Sequence, residues 1–318
     1  MQFCFDDSGK LKPYKDMYYP KPFLKWAGGK TQLIPTIEKH FPKDILESKE
    51  IENYVEPFIG GGALFFYLMR EYKINNSYIS DINKDLILTY RVIKNNPKKL
   101  ISLLETLSAE YASDYEEERK KFYYQVRDLF NESLSEFDYE NFSKQHIIRA
   151  SQMIFLNKTC YNGLFRVNKK GEFNVPCAYP ENPLICDKKN ILAVSEALDK
   201  TIIVNASYSD SEQYINNNSL VYLDPPYRPL NPSSLIEYSK SGFNDNDQIE
   251  LGEFYKRISD KGAKALLSNS DPKNVDVNDN FFDDIYADFK IHRVNANRFI
   301  NSKADKRGPI KEILVSNF

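Results

Sequence analysis

The sequence predicts an α/β protein built on a doubly wound, mostly parallel sheet, with a helical subdomain inserted into it. Short apolar segments alternate with helix-like segments over 51–95, and the same alternation returns over 201–267. Repeated strand–helix units of this kind are typical of parallel sheets covered by helices. The stretch between them is long, charged and helically periodic. We therefore predict a sheet domain, 1–95 plus 200–318, and an inserted subdomain, 96–199.

The first part of the predicted sheet contains two strand–helix pairs. A strand at 51–58 runs into three glycines at 60–62, and a helix follows at 63–71. The second strand, 77–81, is followed by a helix at 84–95. In open α/β folds ligands bind in the loops at the carboxyl ends of such strands, so candidate site residues are expected there.

The inserted segment ends in a predicted β-hairpin at 164–175. The turn signal Asn168-Lys169-Lys170-Gly171 stands there between alternating apolar residues. Residues 1–18 are expected to be a loosely ordered extension. The remaining predicted elements are strands at 201–205, 220–223 and 263–267, a helix at 246–260, and two late strands, 289–294 and 309–315, that close the sheet as an antiparallel pair.

Length and composition exclude several classes of protein. A chain of 318 residues, 42% of them hydrophobic and 14% aromatic, can bury a large core. Its most apolar window, 58–69, is far shorter than the roughly 20 residues that span a bilayer. The N-terminus lacks the basic and apolar regions of a secretory signal, so we expect a cytoplasmic protein. The four cysteines and three histidines show no disulfide or zinc-ligand spacing, so no metal is predicted.

Basic residues are concentrated in two segments, although the net charge is only −2. Residues 157–170 contain four Lys or Arg and no acid, and residues 291–311 contain six against a single Asp. Such runs are usually solvated faces. Asn, Tyr and Gly are interleaved with the basic residues in both segments, which favours a nucleic-acid surface.

The most informative motif is Asp224-Pro225-Pro226-Tyr227, which directly follows an apolar strand. Prolines fix φ and have no N–H, so the carbonyls of Asp224 and Pro225 are held in set directions as acceptors. The carboxylate and a carbonyl can accept both N–H bonds of an amino group on a flat ring, while Tyr227 stacks on that ring. Asp and Pro are also common in ordinary strand-ending turns. We interpret the motif as a catalytic site.

A second motif, Glu-Pro-Phe-Ile-Gly-Gly-Gly at 56–62, ends the first predicted strand. Glycines such as Gly60 and Gly62 let the backbone approach a ligand where any Cβ would clash. Asp81 lies 19 residues beyond Gly62, near the spacing at which an acid reaches ribose hydroxyls. The pattern is not the Gly-x-Gly-x-x-Gly of dinucleotide enzymes, so a methyl donor fits better than NAD.

A third motif, Phe-Leu-Lys-Trp-Ala-Gly-Gly-Lys-Thr at 23–31, contains the only tryptophan of the chain, Trp26. Its Gly-Lys-Thr end is like a phosphate loop, but Leu24 stands where the Walker pattern requires glycine. The turn also carries Lys25 and Lys30. A buried core tryptophan and a ligand-contacting one both remain open at this point.

These motifs, in this order, resemble those of the Dam-type (D12 class, α-group) DNA adenine N6-methyltransferases. The segments 160–168 and 171–176 and the end of the chain are also similar to restriction-associated GATC methylases of that group. The resemblance extends over nearly the whole chain from Pro22. It implies a doubly wound, mostly parallel seven-stranded methyltransferase sheet with an inserted helical DNA-recognition subdomain carrying a β-hairpin.

The resemblance also implies an activity and its partners. The reaction is methyl transfer from S-adenosylmethionine to the N6 amino group of an adenine flipped out of double-stranded DNA. The setting is the bacterial or phage cytoplasm, in a restriction-modification system with a cognate endonuclease as a genetic partner, or as an orphan enzyme.

Residue roles are carried over by position from the same resemblance. The catalytic residues are Asp224, Pro225, Pro226 and Tyr227, and those that contact or shape the donor pocket are Trp26, Lys30, Phe58, Gly60, Gly62, Asp81 and Asp224. The DNA-binding residues are Tyr161, Asn162, Leu164, Arg166, Lys169, Lys170, Arg298, Lys303 and Arg307. Tyr161 inserts into the duplex and Arg166 reads a guanine edge, for which a bidentate guanidinium is suited.

One departure from the family leaves the recognition sequence open. Many relatives that methylate GATC have an aromatic residue, Gly, Arg, Tyr and Lys after Val175-Pro176, whereas this chain has Cys-Ala-Tyr-Pro-Glu at 177–181. Two positive charges are missing there.

Three rival functions compete with this interpretation. They are a glutamine or RNA amino methyltransferase, a DNA-binding module without catalysis, and a cytosine-C5 enzyme. A cytosine-C5 enzyme needs a nucleophilic Cys beside a proline in its catalytic loop, whereas Cys177 follows Pro176 in the recognition hairpin. The helical insert and the hairpin with Arg166 favour duplex DNA over glutamine or RNA, and the donor-pocket and catalytic motifs occur together, which favours an enzyme over a binding module.

Overall fold

The computed structural model describes residues 3–5, 11–13, 18–230, 242–297 and 309–318. Contacts within the chain divide it into two compact units. We call Trp26–Tyr90 with Lys200–Phe318 the sheet unit, and Met1–Lys25 with Arg91–Asp199 the helical unit. The described residues up to Lys25 thus cluster with the helical segment.

Strands and helices account for most of the described residues. The strands are β1 Phe3–Phe5, β2 Leu11–Pro13, β3 Glu50–Glu56, β4 Lys73–Asp81, β5 Thr201–Asn205, β6 Ser219–Leu223, β7 Lys264–Ser270, β8 Lys290–Asn297 and β9 Pro309–Ser316. The α-helices are α1 Ile34–Lys39, α2 Lys43–Ser48, α3 Ala63–Glu71, α4 Lys84–Asn95, α5 Pro97–Tyr111, α6 Glu116–Glu132, α7 Lys144–Thr159, α8 Lys188–Ala197, α9 Asp245–Asp260 and α10 Phe281–Ile285. None of the described helices is long and apolar enough to cross a membrane.

In the described part of the chain, β3 to β9 form one seven-stranded sheet with the order β5-β4-β3-β6-β7-β9-β8. The pairings among β5, β4, β3, β6 and β7 are parallel, and β9 runs antiparallel to both β7 and β8. The predicted mixed α/β sheet with a late antiparallel pair is confirmed. Strand order reverses between β3 and β6, which is the position where open α/β sheets form a ligand crevice.

Helix α9 shows how the core of the sheet unit is built. Asn244 caps it by accepting hydrogen bonds from the backbone N–H groups of the first turn, and Asp247 reciprocates to the Asn244 N–H. Leu251, Phe254 and Ile258 follow at helical spacing and are fully buried in one cluster with β6, β7 and β9. Burial of each such side chain stabilises the fold by about 1.5–3 kcal/mol.

A polar cluster fastens α1 and α3 to the start of β3. Glu38 accepts hydrogen bonds from Tyr67 and Tyr72, both at 2.6 Å, and from the Lys49 ammonium at 2.8 Å. Burial alone would raise the pKa of Glu38, but these donors outweigh it and lower the pKa to about 2. The cluster is structural, because it lies at the amino end of β3 rather than at the edge that carries the motifs.

The helical unit packs α5, α6, α7 and α8 around a largely apolar interior. Arg149 on α7 is buried, donating to the Phe130 carbonyl at 2.8 Å with its guanidinium 4.0 Å from the Phe130 ring centre. The same guanidinium lies 4.9 Å from the Phe137 ring centre. A buried charge is tolerated at this position because aromatic faces and carbonyls surround it. In the extension predicted to be loosely ordered, β1 and β2 pair antiparallel.

The predicted hairpin forms only a short pairing. The turn closes as expected, with the Gly171 N–H donating to the Asn168 carbonyl at 2.9 Å. Beyond the turn, Val167 and Phe173 form one isolated antiparallel bridge instead of two extended strands. In place of a longer ladder, the Asn131 side chain on α6 donates to the Phe173 carbonyl at 3.0 Å and accepts from the Phe173 N–H at 2.8 Å.

Candidate active site

Three of the predicted motifs meet at the carboxyl edge of the sheet because their strands are neighbours. Strand β3 pairs with β4 on one side and with β6 on the other, with Val55 opposite Val221. The glycine loop follows β3, Asp81 is the last residue of β4, and Asp224 comes directly after β6. The carboxyl ends of parallel strands lie at the same edge of a sheet, so the glycine loop, Asp81 and Asp224 lie together at that edge.

Asp224 forms a largely buried ion pair with Lys30. The Lys30 ammonium lies 2.9 Å from Asp224 Oδ1, with the two side chains 10% and 18% exposed. The same ammonium donates to the Gly28 carbonyl at 2.7 Å and lies 4.4 Å from the centre of the Tyr227 ring. The pair therefore joins the tryptophan-containing turn to the Asp-Pro-Pro-Tyr turn.

A second donor, which the sequence did not indicate, contacts the same carboxylate oxygen. Ser268 on β7 donates to Asp224 Oδ1 at 2.8 Å, and the Tyr222 hydroxyl lies 2.9 Å from that serine oxygen. No described residue donates to Oδ2. Nor does any described residue donate to the Pro225 carbonyl. Among the described residues, these two acceptors of the turn therefore have no hydrogen-bond donor.

Tyr227 and Glu312 form another contact that the sequence analysis missed. The Tyr227 hydroxyl donates to Glu312 Oε2 at 2.8 Å, and Glu312 lies on β9 with 8% exposed. Burial raises the pKa of Tyr227 well above its ordinary value, and the charges of Asp224 and Glu312 add to the effect. Tyr227 therefore stays a neutral phenol, with its hydroxyl held by Glu312 and the Lys30 ammonium near its ring.

The glycine loop and Asp81 are connected through the backbone. Gly60 N–H donates to Asp81 Oδ2 at 3.1 Å, and Asn83 N–H donates to Oδ1 at 2.9 Å. Burial raises the pKa of Asp81, while these N–H donors oppose the rise. The Tyr90 hydroxyl donates to the Gly60 carbonyl at 3.1 Å. The loop is thereby held between β4 and α4.

Gly60 and Gly62 are required as glycines for steric reasons. Gly60 has φ +47°, and a Cβ there would lie 2.9 Å from Trp26 Cδ1. Gly62 has φ +69° at the start of α3, and a Cβ there would lie 2.6 Å from the Tyr90 hydroxyl. Both positions combine a backbone conformation that L side chains avoid with insufficient space. Trp26 is thus placed on the glycine loop rather than in the core.

The side chains of Phe58 and Glu56, just before the glycine loop, contact neighbouring aromatic residues. The Phe58 ring stacks on Tyr208 at a centre distance of 5.4 Å and meets Phe243 edge-on at 6.0 Å. Glu56 is buried and accepts a hydrogen bond from the Tyr54 hydroxyl at 2.7 Å. Burial raises the pKa of Glu56 to about 8.

The predicted DNA-binding residues within the described range lie in the helical unit. Tyr161, Asn162 and Gly163 form a tight turn after α7, in which Asn162 has φ +57°. Tyr161 is 58% and Leu164 37% exposed. Buried Asn157 on α7 fixes this turn by donating to the Gly163 carbonyl at 2.8 Å.

Arg166 lies beyond the turn and is exposed. Its Nε donates to Asn174 Oδ1 at 2.8 Å, while Nη1 has no partner among the described residues. Lys169 and Lys170 are exposed in the hairpin turn. The other predicted DNA-binding residues, Arg298, Lys303 and Arg307, lie outside the described residues. Among the residues that the structure does describe, no group of three or more His, Cys, Asp or Glu is arranged to hold a metal ion.

The sheet order and the motifs along its carboxyl edge define an α/β methyltransferase-like protein. Comparison with known proteins then gives the family. The model of the D12 class N6 adenine-specific DNA methyltransferases matches residues 26–300, and the chain belongs to this family. It is an adenine-specific DNA methyltransferase, as the resemblance predicted.

Three relatives show how far the similarity extends. The type II methyltransferase M.MjaIII of Methanocaldococcus jannaschii is 49% identical over 300 residues, which cover 94% of this chain and 99% of that protein. The type II methyltransferase M1.LlaDCHI of Lactococcus lactis subsp. cremoris is 35% identical, over 94% of this chain and 95% of that protein. The DNA adenine methylase of Escherichia coli K12 is 30% identical, over 93% of this chain and 94% of that protein.

Proposed function

We propose that this enzyme takes its methyl group from S-adenosylmethionine bound on the glycine loop and delivers it to an adenine extruded from duplex DNA. The observation that carries the proposal is the state of the Asp-Pro-Pro-Tyr turn. Lys30 and Ser268 both contact Asp224 Oδ1, so Oδ2 and the Pro225 carbonyl are left as acceptors. Two acceptors in one rigid turn match the two N–H bonds of an exocyclic amino group.

The glycine loop fits the donor for reasons visible in its geometry. The Trp26 indole packs against Gly60 too closely for any Cβ there, so the loop carries an aromatic ring beside the end of β3, against which the donor can bind. The buried Asp81 carboxylate, at the adjacent strand end, is a suitable acceptor for ribose hydroxyls. Trp26, Gly60 and Asp81 hold the nucleoside, with Phe58 and Gly62 shaping the loop and Lys30 beside it.

Catalysis requires the chain to position an amino group that is a poor nucleophile. S-adenosylmethionine supplies an electrophilic methyl group carried on a sulfonium. Asp224 Oδ2 and the Pro225 carbonyl accept the two N6–H bonds, which favours a pyramidal nitrogen with its lone pair directed away from the turn. Tyr227 presents its ring to the base. Asp224 acts mainly by accepting a hydrogen bond and stabilising positive charge on N6.

The helical unit acts as the DNA-recognition part. An adenine inside the duplex hides its amino group, and extruding it costs a few kcal/mol that protein contacts must offset. Exposed Tyr161 and Leu164 can enter the stack, and the unpartnered edge of Arg166 can read guanine. Lys169 and Lys170 contact phosphates. The names of the type II relatives favour a restriction-modification setting in the cytoplasm, with an endonuclease as a genetic partner.

The test of the catalytic assignment is Asp224→Ala, with Asp224→Asn as the isosteric variant. Tritium transfer from labelled donor to duplex oligonucleotides is expected to vanish in both, while the circular dichroism spectrum is kept. Asp260→Ala, at an exposed position at the end of α9, serves as the matched control and is expected to keep the normal rate. A methylating Asp224 variant would refute the assignment.

The recognition site is measured separately. The chain is expressed in a host without DNA methylation, and the DNA is sequenced with a method that reports N6-methyladenine and its context. The expected result is one short DNA motif in which the adenine is fully methylated. Because residues 177–181 differ from those of many relatives that methylate GATC, this motif is then compared with GATC. Methylation of protein glutamine or of RNA in place of duplex DNA would contradict the proposal.

A further inference from the structure

We propose that Gln248 is a positioning residue for methyl transfer: its carboxamide holds the Pro226 carbonyl and thereby fixes the turn that carries Asp224. The inference rests on the proposed catalytic function of that turn. Gln248 lies in the first turns of α9 and is fully buried. Its Nε2 donates to the Pro226 carbonyl at 3.0 Å.

The chemistry of the turn explains why an outside donor is needed. Pro225 and Pro226 have no N–H, so two successive residues cannot donate the backbone hydrogen bonds that close an ordinary turn. The backbone of such a turn can be held only through its carbonyls or through N–H groups that follow the prolines. Gln248 contacts the last proline carbonyl, and the Arg228 N–H is held by a second buried amide, that of Asn269.

The two amides form one continuous chain with Tyr227 between its ends. Asn269 on β7 accepts from the Arg228 N–H at 3.1 Å through Oδ1, and its Nδ2 donates to Gln248 Oε1 at 3.0 Å. Gln248 Nε2 then donates to the Pro226 carbonyl. Helix α9 and strand β7 therefore grip the backbone on both sides of Tyr227.

The direction of every bond in this chain is fixed by backbone groups. Asn269 Oδ1 also accepts from the Ser270 N–H at 2.9 Å, and an N–H group can only donate. The Asn269 oxygen must therefore face these two donors, which turns its NH₂ group toward Gln248. The Gln248 oxygen must face that NH₂ group, so its own NH₂ group faces the Pro226 carbonyl. The network has one arrangement and no degenerate flip.

The flank of the turn is fastened to the same helix. Arg228 forms ion pairs with Asp245 on α9 at 2.9 Å and with Asp279 at 2.8 Å, and its guanidinium lies 4.3 Å from the Phe281 ring centre. Ser270 donates to the Arg228 carbonyl at 2.6 Å. These contacts hold the backbone after the turn, whereas Gln248 holds a carbonyl within the turn itself.

The decisive variant is Gln248→Glu, because its protonation state switches one hydrogen bond. A protonated carboxyl can donate to the Pro226 carbonyl, but a carboxylate cannot and is repelled by it. Buried glutamates can titrate as high as about pH 8–9. The single-turnover methylation rate, relative to the unmodified enzyme, is therefore expected to rise as the pH falls from about 9 to about 6. For Gln213→Glu, the same change at an exposed position, the ratio of variant rate to unmodified rate is expected to stay near one at every pH.

Gln248→Leu and a binding measurement separate positioning from folding. This variant is expected to lower the single-turnover rate on the order of 10- to 100-fold, since displacement of reacting groups by about 1 Å has effects of that size. The dissociation constant of S-adenosylhomocysteine, measured by calorimetry, is expected to change less than about twofold, a shift worth only ~0.4 kcal/mol. Circular dichroism at each pH confirms that the assayed protein is folded.

Each outcome decides the inference. A flat pH ratio for Gln248→Glu, whether near one or uniformly low, overturns the positioning role even if Gln248→Leu does not fold. Asp224→Asn, assayed alongside, tests the underlying assignment. If that variant methylates normally, the proposed function fails; if it is inactive while both Gln248 variants are fully active, only the present inference fails.

Discussion

The ion pair between Lys30 and Asp224 predicts a strong energetic coupling that can be measured without any ligand. The perturbation is a double-mutant cycle of Lys30→Met and Asp224→Asn, two changes that keep side-chain length. Each single change leaves the other charge without its partner. The site is largely buried, with the Lys30 side chain 10% and the Asp224 side chain 18% exposed. The double change removes both charges together.

The size of the effect follows from distance and burial. Two unit charges 2.9 Å apart attract by about 6 kcal/mol at an effective dielectric constant of 20, before the cost of removing them from water. Breaking one side of a buried pair costs about 3–5 kcal/mol. Ser268 and the remaining solvent access of Asp224 reduce this, so we expect about 2–4 kcal/mol for each single variant. We expect a similar cost for the double variant, giving a coupling of about 2–4 kcal/mol.

The chain offers its own probe for this experiment. Trp26 is the only tryptophan and lies in the sheet unit beside Gly60, so tryptophan fluorescence in urea reports the unfolding of that unit. A surface pair on the same sheet, Lys73 with Glu50, is the matched control. Its charges are 3.1 Å apart, but the side chains are 66% and 56% exposed, and exposed pairs couple by less than about 1 kcal/mol.

Equal couplings in the two cycles would contradict this expectation. If the effects of the Lys30 and Asp224 changes add to within about 0.5 kcal/mol, the two charges are solvated to the same extent as those of the surface pair. In that case Asp224 would not be held on one oxygen by its partners. Oδ2 would then not be a prearranged acceptor.

Three further predictions use other parts of the molecule. Gly60→Ala is expected to weaken S-adenosylhomocysteine binding at least about tenfold by calorimetry, since a Cβ would lie 2.9 Å from Trp26 Cδ1 on a backbone with positive φ; unchanged affinity would remove the loop from the donor site. The pKa of Glu38, lowered to about 2 from its ordinary 4.5, contributes up to about 3 kcal/mol of stability above pH ~4.5 that is lost as the pH falls toward 2. Glu38→Gln should therefore flatten the acid limb of a urea-stability profile. Joint Lys169→Ala and Lys170→Ala substitution is expected to lower the slope of log affinity against log salt by up to about 2; equal slopes would place the hairpin turn outside the DNA interface.

Local signals in the sequence predict several elements with their observed bounds. The helices at 63–71 and 84–95 and the strand at 201–205 have those limits in the structure, because glycines, strand-type alternation and helical periodicity mark them within a few residues. The sequence predicts that the strand corresponding to β7 ends at 267, but it continues to Ser270. Ser-Asn-Ser has the composition of a loop, but the backbone of these three residues pairs with Leu314, Ile313 and Glu312 of β9.

The sheet order and the partners of the candidate site required the structure. The meeting of Asp224, the glycine loop and Asp81 could be expected, because parallel strands end at one edge. That Ser268 and Glu312 contact the site could not, since nothing in the sequence near either residue indicates its partner on another strand or turn. The same holds for Gln248, whose partner on the turn is 22 residues away in sequence.

Two independent devices prepare the acceptors of the Asp-Pro-Pro-Tyr turn before any substrate arrives. Lys30 and Ser268 both bind Oδ1, so the carboxylate of Asp224 cannot exchange its two oxygens without losing an ion pair and a hydrogen bond. Gln248 fixes the backbone on the other side. Groups that are already ordered in the folded protein do not have to be ordered during the reaction. Prearranged dipoles therefore lower the activation free energy of transfer. Because the two devices share no partner, loss of either should lower the rate of transfer, and loss of both should lower it by about the product of the two separate factors.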